Sequence, residues 1–250
     1  MALASTGLRT IILNRHQGMM NTSRISDNLF RVGYAKSGWL FSTEEIIELE
    51  VLLDKIIGKD LNETTVSEAT RLKSRAVLIN KTMVYKKCKE LASFIYGQNC
   101  HYSFDHAIYK SPGSKSKIEW HQDQAYQKLD LAMRSIHFWI PLQNTGESNG
   151  GIRFISGSHE GGFRTHFINS STGRLFCRLK PQEKPTTLHV ERGCCTLHLP
   201  TTVHSSSHNL SEHTRKAWIL HFSPYGKLDM FRFQNFKKHT QNFKKYLLRK

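Results

Sequence analysis

The stretch "FSTEEIIELEVLLDKII" places Ile46, Leu49, Leu53 and Ile56 or Ile57 three to four residues apart, the spacing of one buried helical face. Ser42 stands three residues before Glu45, so the helix opens with a capping box. A second helical pattern runs from about Leu78 to Tyr96 and stops at Gly97. Beyond Gly97 the period changes. "CHYSFDHAIYKS", "KIEWHQDQAY", "RSIHFWIPLQ", "GIRFISGS", "TTLHVERGCCTLHL" and "RKAWILHFSP" are short, rich in aromatic and β-branched residues, and bounded by turn formers. Helices followed by many short strands, with no alternating βαβ rhythm, predict an α+β chain whose strands close as a sandwich or jelly roll.

The length of 250 residues suits one domain, and no long Pro/Gly/Ser linker divides it. Within residues 1–250 the pattern predicts a mainly helical support over 1–98, a β core over 99–224 and a basic C-terminal helix over 225–250. In that last segment QNFKK occurs twice, which sets Phe236 and Phe243 on one face near Tyr246 and Leu247. Such a helix is expected to pack on its own domain. No apolar run approaches the about 20 residues that span a bilayer. Five cysteines without C-x-x-C spacing suggest neither a disulfide framework nor a zinc knuckle, and a reducing, cytoplasmic setting is expected. The first acidic residue is Asp27, after Arg9, Arg15 and Arg24, which reads as a flexible basic arm, with a mitochondrial transit segment as the lesser reading. A formal charge of +16 admits nucleic acid, an anionic membrane surface or anionic small molecules, and does not choose among them.

Chemistry enters at "WHQDQAYQ", residues 120 to 127. On a strand His121 and Asp123 face the same way, so an imidazole and a carboxylate point together. Alone, H-x-D is an ordinary polar pair. With a second imidazole it becomes the 2-His-1-carboxylate triad that leaves positions open on iron. The histidines after residue 190 are His198, His204, His208, His213 and His221, and His204 lies where the chain leaves a turn at Pro200. If Arg215 faces inward on the next strand, so do Ala217, Ile219 and His221, whereas Lys216 and Trp218 face out. An inward arginine needs an anion, either a protein carboxylate or the far end of a dicarboxylate ligand.

"SGWLFSTEEIIELEVLLDKI", "WHQD", "FWIPLQNTGESNGGIRFISGSH" and "HSSSHNLSEHTRKAW" together resemble the phytanoyl-CoA dioxygenase family of Fe(II)/2-oxoglutarate oxygenases. The resemblance covers most of the chain. It implies a double-stranded β-helix core, with His121, Asp123 and His204 as iron ligands. It further implies that Arg215 and Ser206 hold the far carboxylate of 2-oxoglutarate and that Trp139 lies at the cosubstrate. Tyr126, Gln127 and Arg134 follow the H-x-D pair, in a segment that in the family often helps enclose substrate. A basic residue of the family upstream of the barrel corresponds to Arg71 or Lys73. Fe(II), 2-oxoglutarate and O2 are the implied cofactor and cosubstrates, with succinate and CO2 released as a substrate C–H bond is hydroxylated. Related halogenases replace the carboxylate ligand with a small residue, so Asp123 favours hydroxylation, with desaturation or ring formation as further outcomes.

A jelly-roll binding module without catalysis would need neither Arg215 nor Ser206 at these positions. A nucleic-acid oxygenase of the repair type carries a second arginine six residues after the first, where this chain has His221. The expected partner is therefore a small molecule, anionic or carrier-linked.

Overall fold

In the computed structural model, which describes residues 22–57, 66–126 and 134–226, the predicted capping box forms. Ser42 Oγ accepts from the Glu45 amide at 3.2 Å, and Glu45 Oε2 accepts from the Ser42 amide at 2.9 Å. The first helix, α1 (Thr22–Val32), has no counterpart in the sequence reading, while α2 (Thr43–Ile57) follows the capping box as expected. Ile46, Leu49, Leu53 and Ile57 are all buried on one face of α2. A one-turn helix, α3 (Leu72–Arg75), precedes α4 (Met83–Tyr96). The predicted second helix starts later than its apolar pattern. Thr82 caps α4 through Oγ1 to the Tyr85 amide, and Ile79–Lys81 forms a separate 3-10 turn. Gly97 ends α4 in the left-handed region at φ 65°.

Among the described residues twelve strands follow or interleave: β1 (Tyr34–Lys36), β2 (Val66–Thr70), β3 (His101–Lys110), β4 (Ile118–His121), β5 (Ile136–Pro141), β6 (Ile152–Ile155), β7 (Phe167–Ile168), β8 (Leu175–Phe176), β9 (Pro185–Thr187), β10 (Thr196–His198), β11 (His204–Ser206) and β12 (Arg215–Ser223). The larger sheet runs β1-β10-β5-β12-β3-β2, the smaller β4-β11-β6-β9, and all their pairings are antiparallel. These are the layers of the expected jelly roll. The N-terminal segment, expected to be mainly helical, also supplies β1 and β2 to the larger sheet, because Ala35 and Ala69 are apolar positions of short strands that bury only when paired.

Trp218 faces away from the cavity, as its parity with Arg215 requires, but it is not exposed. The helices cover that face of the larger sheet: Trp218, Leu220 and Phe222 share one apolar core with α2 and α4, and Phe222 meets Tyr85 edge-on at 5.4 Å. Trp218 Nε1 donates to the fully buried carboxylate of Asp105 at 3.0 Å, so the indole keeps a partner inside the core. Lys216, on the same face, reaches Glu50 and Asp54 of α2. The opposite face of the sheet is thereby left to the site. All five cysteines are free and buried, in accord with the absence of a disulfide framework. Of the expected flexible basic arm before Asp27, residues 1–21 lie outside the described residues, whereas Arg24 stands on helix α1; nearly all of the expected C-terminal helix, residues 227–250, also lies outside them. No helix among the described residues is long and apolar enough to cross a membrane.

Candidate metal and cosubstrate site

β4 ends at His121, and Asp123 opens a 3-10 turn, so the pair does not lie on one strand as expected. The strand stops because Gln122 is fully buried: its Nε2 donates to Gly162 and Thr201 carbonyls, and its Oε1 accepts from the Arg164 amide. Asp123 still turns back toward His121. His204 arrives from β11, where it is the register partner of His121 across the antiparallel ladder.

The three side chains stand at the separation an ion requires. His121 Nε2 lies 3.3 Å and His204 Nε2 3.5 Å from Asp123 Oδ1, and the two rings are 4.3 Å apart. Ligands about 2.1 Å from one ion at right to tetrahedral angles are spaced by roughly 3.0–3.4 Å. The tautomers agree. His121 Nδ1 donates to the Glu119 carbonyl at 2.7 Å and His204 Nδ1 to the Thr202 carbonyl at 2.9 Å, which leaves both Nε2 lone pairs facing Asp123. Burial lowers the His204 pKa well below its ordinary value, holding the imidazole neutral, the form that ligates.

The second oxygen of Asp123 has a different environment. His137 Nδ1 lies 2.6 Å and His198 Nε2 3.1 Å from Oδ2, both hydrogen-bond distances. His137 Nε2 in turn accepts from Ser135 Oγ at 2.8 Å. His221 stacks on His137 with ring centroids 3.5 Å apart, and neither of its ring nitrogens has a hydrogen-bond partner among the described residues. Asp123, His137 and His221 also form a group of potential ligands, but 2.6 Å between two of its ligand atoms is shorter than one ion allows. Burial alone would raise the Asp123 pKa. The neighbouring His204 and His121 imidazoles and the bonds from His137 and His198 outweigh it and hold the carboxyl well below its ordinary value.

A cavity opens from the triad and is lined by His106, Ile108, Trp139, Ile152, Ser206 and Ile219 among others. Arg215 sits beyond it, 1% exposed. Its Nη1 donates to the Ile108 carbonyl at 3.2 Å, its Nε has no partner, and no carboxylate bonds to it among the described residues. The guanidinium lies 5.7 Å from the Trp139 ring, and burial draws its pKa down to about 9. Of the two anions the sequence left open, a protein carboxylate is therefore ruled out within the described chain, and a buried arginine with an orphaned donor fits a carboxylate ligand.

The structure brings together His121, Asp123, His204, Ser206 and Trp139 around the cavity, with Arg215 adjoining. Tyr126 is half exposed, packs edge-on against His121, and bonds through its hydroxyl to the Leu175 backbone on the β7–β8 hairpin. Arg134 does not line the cavity; its exposed guanidinium binds the Tyr225 hydroxyl instead. Gln127 lies outside the described residues. Neither Arg71 nor Lys73 lines the cavity, and the Lys73 ammonium sits 4.1 Å from the centre of the Tyr102 ring and bonds Tyr85. His137 and Lys110 carry no motif of their own in the sequence; strand parity sets His137 beside Trp139, and the β3–β12 ladder sets Lys110 opposite Arg215.

The sequence profile described as phytanoyl-CoA dioxygenase matches residues 33–217. Curated relatives include phytanoyl-CoA dioxygenase domain-containing protein 1 of Rattus norvegicus, 31% identical over 121 residues that cover 46% of this chain and 42% of that protein. A phytanoyl-CoA dioxygenase of Arabidopsis thaliana is 29% identical over 117 residues, 46% of this chain and 41% of that protein. These alignments span less than half the length of the relatives. Among solved structures, EvdO2 from Micromonospora carbonacea var. aurantiaca complexed with 2-oxoglutarate superimposes with a TM-score of 0.72 at 19% identity, over 82% of this chain and 91% of that one. The epimerase SnoN, in complex with Fe3+, alpha ketoglutarate and nogalamycin RO, gives 0.68 at 15% identity, over 81% and 83%. The carbocyclase SnoK from nogalamycin biosynthesis gives 0.69 at 15% identity, over 80% and 83%. At these identities the likeness establishes the shared fold.

Proposed function

The chain belongs to the phytanoyl-CoA dioxygenase family, and on that premise we propose that it is an Fe(II)- and 2-oxoglutarate-dependent oxygenase that hydroxylates a C–H bond of a small molecule, releasing succinate and CO2. One observation carries the reading: three ligand atoms at metal spacing line a cavity adjoined by a buried arginine that has no acid partner among the described residues.

His121, Asp123 and His204 would hold the metal, and three protein ligands leave positions for a chelating cosubstrate and O2. Iron and 2-oxoglutarate, when bound, supply the oxidising power by coupling O2 reduction to decarboxylation. The chain's own residues do the rest. His137 and His198 occupy Asp123 Oδ2, so the carboxylate presents a single oxygen to the ion and does not consume a second position. Arg215 and Ser206 receive the far carboxylate, which fixes the cosubstrate's direction along the cavity, and Trp139 forms the wall beside the guanidinium. Ile108, Ile152 and Ile219 keep that passage dry, which strengthens the charge pairing at its end.

Hydroxylation is the expected outcome because Asp123 fills the position that halide-binding relatives vacate. Succinate formation by the iron-loaded protein, dependent on 2-oxoglutarate and stimulated by metabolite fractions, tests the reading. Absence of 2-oxoglutarate binding to the metal-loaded protein would sink it.

A further inference from the structure

Lys110, the last residue of β3, is fully buried and lies directly opposite Arg215 in the β3–β12 register. His106 and Ile108, four and two positions earlier on the same strand face, line the cavity, so Lys110 and Arg215 share its inward side. The Lys110 amine donates to the Ser206 carbonyl at 3.1 Å and to the Ser207 carbonyl. An ammonium has three donors, and no carboxylate bonds to this one among the described residues. Gly150, at φ +77°, passes over both side chains: a Cβ there would sit 3.3 Å from Lys110 Cδ and 3.4 Å from Arg215 Nε. Two basic side chains buried side by side without an acid are costly unless an anion joins them.

We propose that Lys110 and Arg215 together form the site for the far carboxylate of a dicarboxylic 2-oxo acid, and that Lys110 takes up a proton from solvent as that carboxylate arrives. The proposal rests on the cosubstrate reading above and adds to it a second cation and a coupled proton.

Burial, then the neighbouring Arg215 guanidinium, with Arg174 and Arg153 behind it, draws the Lys110 pKa down to about 6. Near neutral pH the free protein therefore holds Lys110 as an amine, which can still donate to two carbonyls. The acid on the adjacent strand, Glu68, is already engaged by His106 and Arg174. An arriving carboxylate stabilises the ammonium and raises its pKa, so binding above pH 6 is accompanied by protonation. The sign follows: affinity for the dicarboxylate falls as pH rises above about 6, until the raised pKa of the complex is passed. A 2-oxo acid without a far carboxylate leaves Lys110 unprotonated and gains nothing from it.

The test is calorimetric titration of the Mn(II)-loaded full chain at pH 7.5, with 2-oxoglutarate and with 2-oxobutyrate, in two buffers of different ionisation enthalpy. Expected for the wild type is uptake of most of one proton per 2-oxoglutarate beyond any seen with 2-oxobutyrate. Lys110→Met should abolish that excess and weaken 2-oxoglutarate binding by roughly tenfold or more, leaving 2-oxobutyrate unchanged. Wild-type binding of 2-oxoglutarate without excess proton uptake, or wild-type affinity in a folded Lys110→Met, overturns the proposal. The buffer comparison needs only the wild type and decides even if the variant does not fold. A wild type that binds 2-oxobutyrate but not 2-oxoglutarate refutes the carboxylate site, whereas one that binds neither refutes the cosubstrate reading and this proposal with it.

Discussion

His137 Nδ1 lies 2.6 Å from Asp123 Oδ2, on the carboxylate oxygen that faces away from His121 and His204. That bond divides the carboxylate into one oxygen for an ion and one for the protein. His137→Leu should lower Mn(II) or Fe(II) affinity by about 10- to 100-fold, the usual cost of losing a partner behind a ligand. Anaerobic calorimetry measures it, and unchanged affinity would show that His198 alone orients Asp123.

His121→Ala, Asp123→Ala and His204→Ala each remove one of three ligand atoms. Each should abolish tight metal binding and turnover while the thermal transition of the metal-free protein persists. Full metal affinity in His204→Ala would move the third ligand to one of the neighbouring histidines, of which His198 is 4.4 Å away ring to ring.

Arg215→Ala should leave metal binding intact and raise the 2-oxoglutarate concentration needed for half-maximal succinate formation by roughly 30-fold or more, the consequence of truncating one partner of a buried charged pair. Ser206→Ala should act in the same direction by about 1 kcal/mol. A dependence unchanged in Arg215→Ala would separate the residue from the cosubstrate.

The metal-free protein should lose stability on acidification. Burial depresses the pKa values of His204, His221 and His137 in the folded state, so below an unfolded pKa of about 6.5 the unfolded chain binds more protons at these sites. His121 acts oppositely: burial opposes its protonation, but bonding to Asp123 outweighs this and raises its pKa, one group against three. Asp123, with its depressed pKa, contributes stability that is lost only as pH falls below about 4. Denaturant unfolding of chelator-treated protein at pH 8 and pH 5.5 should therefore give a lower midpoint at pH 5.5. An equal or higher midpoint would contradict the neutral state of these buried histidines.

Much of this was legible in the residues themselves. The apolar spacing of α2 and its Ser42–Glu45 box located the helix to within a residue, because cap and period are local properties. The spacing of His121, Asp123, His204 and Arg215 survived into three dimensions even though Asp123 left its strand, since Gln122 ends β4 through long-range bonds to Gly162, Thr201 and Arg164. What stayed hidden was set by partners far along the chain. Trp218 read as outward and is buried because α2 and α4 cover that face. β2 is too short to announce itself and exists through pairing with β3. Lys110 carries no signal of its own in the sequence, because only the β3–β12 register sets it against Arg215.

His121 and His204 are register partners on β4 and β11, and β5 to β10 all lie between those strands in the chain. The local pair His121 and Asp123 supplies two ligands, but the second histidine comes from the far side of the β core, so an ion offered to the unfolded polypeptide finds only a weak two-ligand site that does not seed the pairing. Closure of this long-range pairing is a slow, high-contact-order event. During refolding, metal capture should accordingly lag behind secondary structure and coincide with the final docking of the small sheet, which makes the ion a reporter of completed topology and not its nucleus.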